Sequence, residues 1–285
     1  MNIAQALQQS ASGLNSNGIV DCHIEARLLL GYATNLSAVQ IFTEPQRILS
    51  QEEEDKLTKL IERRLQCEPT AYILKEKEFY GLDFYVDHRV LIPRPETELL
   101  VDAALNIANN RVRYLTRSLL MADIGTGCGA IAISLALNLP KCKVYAIDLS
   151  SAALEVAELN CQRNKVNEQV RLLHGDLLTP LPESVDIVVA NLPYIQKSDL
   201  PGLSPEIAKF EPQMALDGGE NGLDCIEKLL RQIKNKINSG GSLILEIGEG
   251  QEEAIRLLVD SYIESTNFRC ITDLNEIKRV VIIDL

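Results

Sequence analysis

Leu119-Leu120-Met121-Ala122-Asp123-Ile124-Gly125-Thr126-Gly127-Cys128-Gly129-Ala130 carries an apolar run into three alternating glycines and then into the helical segment that begins at Ala130 and reaches Leu137. A strand that turns at once into a helix through glycines is the opening of a crossover unit. Glycine lets the backbone turn sharply and approach a ligand at a distance a Cβ would prevent. Further strand patterns follow at Lys143–Asp148, Val170–His174, Val185–Ala190, Ser242–Ile247 and Arg279–Asp284, with helical segments between most of them. Alternation of this kind predicts right-handed crossovers and a largely parallel sheet with helices on both faces. Ligands of such sheets sit beyond the carboxyl ends of the strands, near the point where strand order reverses.

The glycine turn by itself fits two ligands. Gly125, Gly127 and Ala130 satisfy the looser dinucleotide fingerprint, and Asp148, ending the next strand roughly 20 residues on, suits a ribose. Asp123, just before the turn, favours a cationic ligand carrying an ammonium group and suits a pyrophosphate poorly. S-Adenosylmethionine is therefore the expected cofactor, with Asp148 accepting both ribose hydroxyls. Ser150 caps the next helix and leaves Asp148 free for that role. Asp176, in His174-Gly175-Asp176, is placed to accept from an exocyclic adenine amine, although Gly-Asp is also ordinary turn chemistry.

Val185-Asp186-Ile187-Val188-Val189-Ala190 ends in Asn191-Leu192-Pro193-Tyr194. A buried strand thereby delivers a carboxamide, a proline segment and an aromatic ring to the sheet edge. The Asn191 carboxamide and a main-chain carbonyl in the Leu192–Pro193 segment can hold a planar NH2 group by both its hydrogens. Asn191 and Pro193 are the expected catalytic residues. Tyr194 joins them, its ring packing over the acceptor.

Upstream, apolar residues at helical spacing from Asn2 to about Gln66 predict a bundle of four or five helices, closed by Pro69. Ser50 and Glu53 have the spacing of a capping box, which explains the acidic run after Ser50 as first-turn carboxylates. Glu78 to Val86 alternates around Gly81 as a hairpin connector. In Leu91-Ile92-Pro93-Arg94-Pro95-Glu96-Thr97-Glu98 two prolines force an extended approach to the next helix. These segments divide the chain into a bundle (1–70), a linker with the hairpin (71–95) and a catalytic domain (96–285).

Composition removes other classes. No segment reaches the roughly 18 uninterrupted apolar residues of a membrane span. Met1-Asn2-Ile3-Ala4-Gln5 lacks a basic region followed by an apolar stretch, so a cytoplasmic protein is expected. The seven cysteines are odd in number, scattered and never spaced Cys-x-x-Cys. They read as small buried hydrophobes rather than disulfides or zinc ligands. Three histidines without ligand spacing argue for no metal and no hydrolytic triad. A net charge of −12 handicaps nucleic acid as a partner.

Taken together, Leu91–Glu98, Asp123–Gly129, Asn191–Tyr194 and Glu211-Pro212-Gln213-Met214-Ala215-Leu216-Asp217-Gly218-Gly219 resemble the release-factor glutamine N5-methyltransferases, the HemK/PrmC family. The likeness runs nearly end to end. It implies an α/β fold: a seven-stranded Rossmann-like S-adenosylmethionine-dependent methyltransferase sheet with a small all-α N-terminal bundle and a β-hairpin connector. It also implies the glutamine of a Gly-Gly-Gln motif in class I peptide chain release factors as acceptor. By motif match Gly125, Thr126, Gly127, Cys128, Gly129 and Asp148 hold the cofactor, with Leu177 beside Asp176 bordering the adenine and Asn191 shared with the acceptor. Asn191, Leu192, Pro193 and Tyr194 hold the glutamine. Leu192 departs from the family's usual proline, which predicts a less rigid loop. Two other readings use the same residues differently: an adenine-N6 or guanine-N2 methyltransferase acting on nucleic acid, and a non-catalytic binding module, which has no use for Asp148 or the glycine turn.

Overall fold

The computed structural model describes residues 1–112, 117–263 and 267–285. Five helices come first: α1 (Ile3–Ser16), α2 (Cys22–Thr34), α3 (Ala38–Thr43), α4 (Gln51–Leu65) and α5 (Thr70–Leu74). The hairpin β1 (Lys77–Phe79) and β2 (Leu82–Phe84) leads to α6 (Glu98–Val112), β3 (Leu119–Ile124), α7 (Ala130–Asn138), β4 (Cys142–Asp148) and α8 (Ser151–Asn164). Next come β5 (Val170–His174), β6 (Val185–Ala190), α9 (Pro205–Phe210), α10 (Asp224–Ile233), β7 (Ile237–Glu246), α11 (Glu252–Tyr262), β8 (Asn267–Thr272) and β9 (Lys278–Asp284). The chain forms two compact units, Met1–Glu76 with Ser204–Phe210, and Lys77–Leu203 with Glu211–Leu285.

In the first unit Ile3, Leu29, Leu30, Leu57 and Leu60 share one core. The Ser50–Glu53 capping box is present, and two more start α1 and α3 at Asn2–Gln5 and Ser37–Gln40. Each satisfies backbone N–H groups that a helix start leaves without partners. Pro69 does not close the bundle. It precedes α5 as its N-cap, since the proline's fixed φ suits a helix start as well as a stop. Arg64 is 2% exposed and pairs with Glu25 of α2 and Glu206 of α9, so the buried cation is compensated from two sides.

The second unit is built on a seven-stranded sheet of order β5-β4-β3-β6-β7-β9-β8. β3 to β7 pair in parallel, while β9 runs antiparallel to both β7 and β8. Strand β8, absent from the six strand patterns in the sequence, is an edge strand whose residues are all exposed or half-buried. An edge with no fully buried face carries no apolar signature to read. The central strands are the opposite case, every residue of β6 being buried. In the hairpin, Tyr80 (φ 54°) and Gly81 (φ 73°) both take positive φ, the requirement of a tight two-residue turn.

Candidate active site

Strand order reverses between β3 and β6, which lie side by side and send their onward connections to opposite halves of the sheet. The registers place Ile147, Ile124, Ala190 and Leu245 in one row across β4, β3, β6 and β7. The residues that follow, Asp148, Gly125, Asn191 and Glu246, are thus delivered together at the carboxyl ends. Pattern reading supplied the first three of these; sheet pairing supplies the fourth.

Gly125 (φ 73°) turns the chain out of β3. A Cβ there would stand 3.4 Å from Leu192 Cδ2 and 3.6 Å from the Asn191 carbonyl oxygen, so the glycine turn and the Asn-Leu-Pro-Tyr segment touch. Asp148 fixes the turn from the neighbouring strand: it accepts from Gly127 N at 2.9 Å and from Ser150 N at 2.8 Å. Burial raises its pKa, and those backbone donors oppose the rise. Ser150 caps α8 as expected, accepting from Ala153 N.

A cavity of about 160 Å³ opens over this row, lined by Gly125, Gly127, Asp148, Asp176, Leu177, Asn191, Leu192 and Pro193 among others. Leu149, Ala153, Leu177 and Cys225 give it apolar walls. Among the described residues its one basic lining side chain, Arg89, is committed to Asp87 and Glu155. Two carboxylates, apolar walls and no free cation fit a nucleoside bearing a positive charge and disfavour a pyrophosphate.

Five expected residues do not line the cavity. Asp123 is fully buried and its Oδ2 accepts from the Thr126 hydroxyl (2.7 Å) and Ala132 N (3.1 Å). It therefore ties the turn to α7 from beneath. Its other oxygen has no hydrogen-bond partner among the described residues, and burial pushes its pKa up to about 7. Thr126 serves that bond, and Gly129 lets α7 pack closely on Ala157. Cys128 is buried, its thiol pushed up to about 12 chiefly by desolvation, so it is inert as a nucleophile. Tyr194 points its hydroxyl at Glu246 (3.5 Å) and its ring at Gly248. These contacts brace the loop.

The loop itself is held from several directions. Asn191 Nδ2 donates to Thr97 Oγ1 at 3.2 Å. The Tyr194 carbonyl accepts from Gln251 Nε2 at 3.0 Å, and Ile195 exchanges backbone bonds with Leu216 and Gly218. The Pro193 carbonyl is packed against Gly218. Among the described residues Asn191 Oδ1 and the carbonyls of Leu192 and Pro193 accept no hydrogen bond, and all three residues line the cavity. Leu192 is 5% exposed, and its buried side chain restrains the loop where a proline ring is missing.

Several contributors had no role assigned from the sequence. Glu211 accepts from Arg94 and from Ile92 N, joining the Ile-Pro-Arg-Pro segment to the stretch before Ala-Leu-Asp-Gly-Gly. Asn160, fully buried on α8, donates to the carbonyls of Tyr85 and Cys128 and accepts from Tyr85 N, so it links the hairpin connector to the glycine turn. Glu246 had one visible signal, a single acid at the end of Leu243-Ile244-Leu245.

The strand order, with its antiparallel final pair, and the cavity over the glycine turn define the Rossmann-like S-adenosylmethionine-dependent methyltransferase class. Residues 5–74 match the family described as the PrmC N-terminal domain, and residues 100–205 the methyltransferase small domain. A release factor glutamine methyltransferase of Koribacter versatilis is 35% identical, over 99% of this chain and 98% of that one. Another, of Moorella thermoacetica, is 39% identical over 90% and 89%. Among solved structures, the hMettl16 catalytic domain in complex with MAT2A 3'UTR hairpin 6 shares the fold at TM-score 0.56 and 14% identity, covering 78% of this chain and 80% of that one. The chain belongs to the release factor glutamine methyltransferase family. No helix among the described residues is long and apolar enough to cross a membrane.

Proposed function

We propose that this chain methylates the side-chain amide nitrogen of the glutamine in the Gly-Gly-Gln motif of class I peptide chain release factors, with S-adenosylmethionine as donor. One observation supports the reading: Asn191, Leu192 and Pro193, whose side-chain oxygen and two carbonyls accept no hydrogen bond among the described residues, line the same cavity as Gly125 and Asp148. Bound there, the cofactor supplies a methyl group activated by its positive sulfonium. Asp148 accepts the ribose hydroxyls, Asp176 and Leu177 border the base, and Gly125 and Gly127 let the ligand approach the backbone. Asp123, Thr126, Cys128 and Gly129 act one layer below, by holding the turn in shape.

An amide nitrogen is a weak nucleophile because its lone pair is delocalised into the carbonyl. Asn191 Oδ1 and the Leu192 carbonyl accept its two hydrogens, which aligns the nitrogen and stabilises the positive charge that would develop as the N–C bond forms and the methyl–sulfur bond breaks. One of those hydrogens is then lost to water as a proton, leaving a neutral N-methyl amide. Alignment of this kind supplies about 7 kcal/mol or more, against about 3 kcal/mol for the weaker cases of proton-transfer help. Pro193 stiffens the segment, and Tyr194 anchors its far end.

The N-terminal bundle is assigned to the body of the release factor, since a single glutamine in a short loop offers too little surface to discriminate proteins. Its α2 presents Ile24 and Leu28 to solvent one helical turn apart, with Val20 just ahead of them. The deciding experiment incubates the purified chain with methyl-labelled S-adenosylmethionine and either release factor or nucleic acid. Label on the Gly-Gly-Gln glutamine supports the proposal. Label on adenine or guanine, falling steeply with salt, supports the nucleic-acid reading.

A further inference from the structure

We propose that Glu246 and Thr97 are positioning residues that set which end of the Asn191 carboxamide faces the acceptor. The proposal rests on the function argued above and adds two residues to it.

A carboxamide presents an oxygen on one side and an NH2 group on the other, and rotation by half a turn exchanges them. Only the orientation with Oδ1 toward the cavity can accept from a substrate amide; the reverse would set donor against donor. Asn191 Nδ2 donates to Thr97 Oγ1, which selects the useful orientation provided that the Thr97 oxygen is an acceptor. A hydroxyl accepts reliably on one side when its own hydrogen is claimed on the other. Thr97 is 4% exposed, so water does not claim it.

The buried carboxylate of Glu246, 3% exposed and one strand away from Asn191, stands beside that hydroxyl. The Tyr194 hydroxyl reaches the same carboxylate at 3.5 Å, so the far end of Asn-Leu-Pro-Tyr is tied to Glu246. Its Oε2 has no hydrogen-bond partner among the described residues, an arrangement that stability alone does not favour. Ionised, Glu246 can only accept. It draws the hydroxyl hydrogens of Thr97 and Tyr194 toward itself and leaves the Thr97 lone pair for Asn191. Protonated, it can donate to Thr97, and the chain of bonds loses its direction.

Burial raises the pKa of Glu246 to about 7. Glu96 reinforces the rise, while the Thr97 and Tyr194 hydroxyls and Arg279 oppose it. The direction of the chain therefore changes near neutral pH.

The test compares Thr97→Val, Thr97→Ser and Glu246→Gln with the unaltered protein. S-Adenosylmethionine affinity by calorimetry and thermal midpoint serve as checks on folding. Thr97→Val is expected to lower kcat about 10- to 100-fold, as small misplacements of reacting groups do, with cofactor affinity kept. Thr97→Ser is expected to restore most of the loss. The rise of kcat with pH near neutrality is expected to vanish in Glu246→Gln. A second readout needs no acceptor: the Asn191 side-chain amide resonance should titrate near pH 7 in the unaltered protein and not in Glu246→Gln. Equal kcat in Thr97→Val and the unaltered protein, equal impairment of the valine and serine variants, or an Asn191 resonance that titrates identically without Glu246 would each overturn the proposal. If release factor is not methylated at all while the resonance still follows Glu246, the functional reading fails and the coupling stands.

Discussion

Gly218 lies so close to the Asn-Leu-Pro-Tyr loop that a Cβ on it would stand 2.8 Å from the Pro193 carbonyl oxygen and 2.8 Å from Tyr194 Cα. The Ala-Leu-Asp-Gly-Gly stretch is thereby a brace: Gly218 N donates to the Ile195 carbonyl, and Leu216 returns a bond to Ile195 N. Gly218→Ala must displace backbone, because the neighbours it would meet are main-chain atoms. The expected cost is about 1–3 kcal/mol of stability, as for other overpacked sites, together with loss of methylation. Urea unfolding and a methylation assay check both. An alanine variant of unchanged stability and turnover would show that the brace does not set the loop.

Asp148 is the carboxylate the cavity shares with the glycine turn. Asp148→Asn keeps the shape, loses the charge and turns one acceptor into a donor facing Gly127 N or Ser150 N. Cofactor affinity is expected to fall about 10- to 100-fold, the scale of a hydrogen bond to a charged group. Calorimetry with S-adenosylmethionine measures this directly, and unchanged affinity would remove Asp148 from the cofactor site.

Two buried acids, Asp123 and Glu246, have pKa values pushed up to about 7 by burial. The folded protein holds their protons more tightly than the unfolded chain, so their contribution is full below the ordinary carboxylate range and is lost as pH rises through about 7. The loss is roughly 4 kcal/mol for Asp123 and roughly 3 kcal/mol for Glu246. Asp87 is shifted the other way, to about 2, because hydrogen bonds from Arg89 and Tyr85 outweigh its burial. Its stabilising effect is lost only as acid is added well below that window. Thermal midpoint is therefore expected to decline between pH 5 and pH 8, and to decline less in Asp123→Asn. A variant that follows the same pH curve as the unaltered protein would contradict the assignment for Asp123.

The bundle's role separates from the chemistry in one comparison. Ile24→Asp and Leu28→Asp place charge on the exposed face of α2 without entering the core. KM for intact release factor is expected to rise about tenfold or more, the scale of losing an interface anchor, while KM for a short Gly-Gly-Gln peptide stays unchanged. Equal effects on both substrates, or on neither, would locate recognition elsewhere.

What could be read before the fold was known followed from local chemistry. The glycine turn, Asp148, the Ser50 cap and Asn191 announce themselves because each needs a particular residue type at a fixed offset from a strand or helix end. Glu246 and Thr97 do not, since Glu246 reaches Asn191 only through the pairing of β6 with β7 and Thr97 only through tertiary packing. Asp123 and Tyr194 are legible as residues near the site, but neither lines the cavity: Asp123 is buried beneath the turn, and the Tyr194 hydroxyl is directed at Glu246. Strand β8 has no legible pattern, because an edge strand in partial contact with solvent lacks the apolar run that marks β3 and β6.

The central claim is that Asn191 holds the acceptor amide in line with the methyl donor and does little else. Asn191→Ala protein, saturated with S-adenosylmethionine and given release factor, measures it most directly. The prediction is cofactor affinity close to that of the unaltered protein with methylation of the Gly-Gly-Gln glutamine slowed by at least about 100-fold, the scale of losing a preorganised transition-state partner. Undiminished turnover in that variant would contradict it.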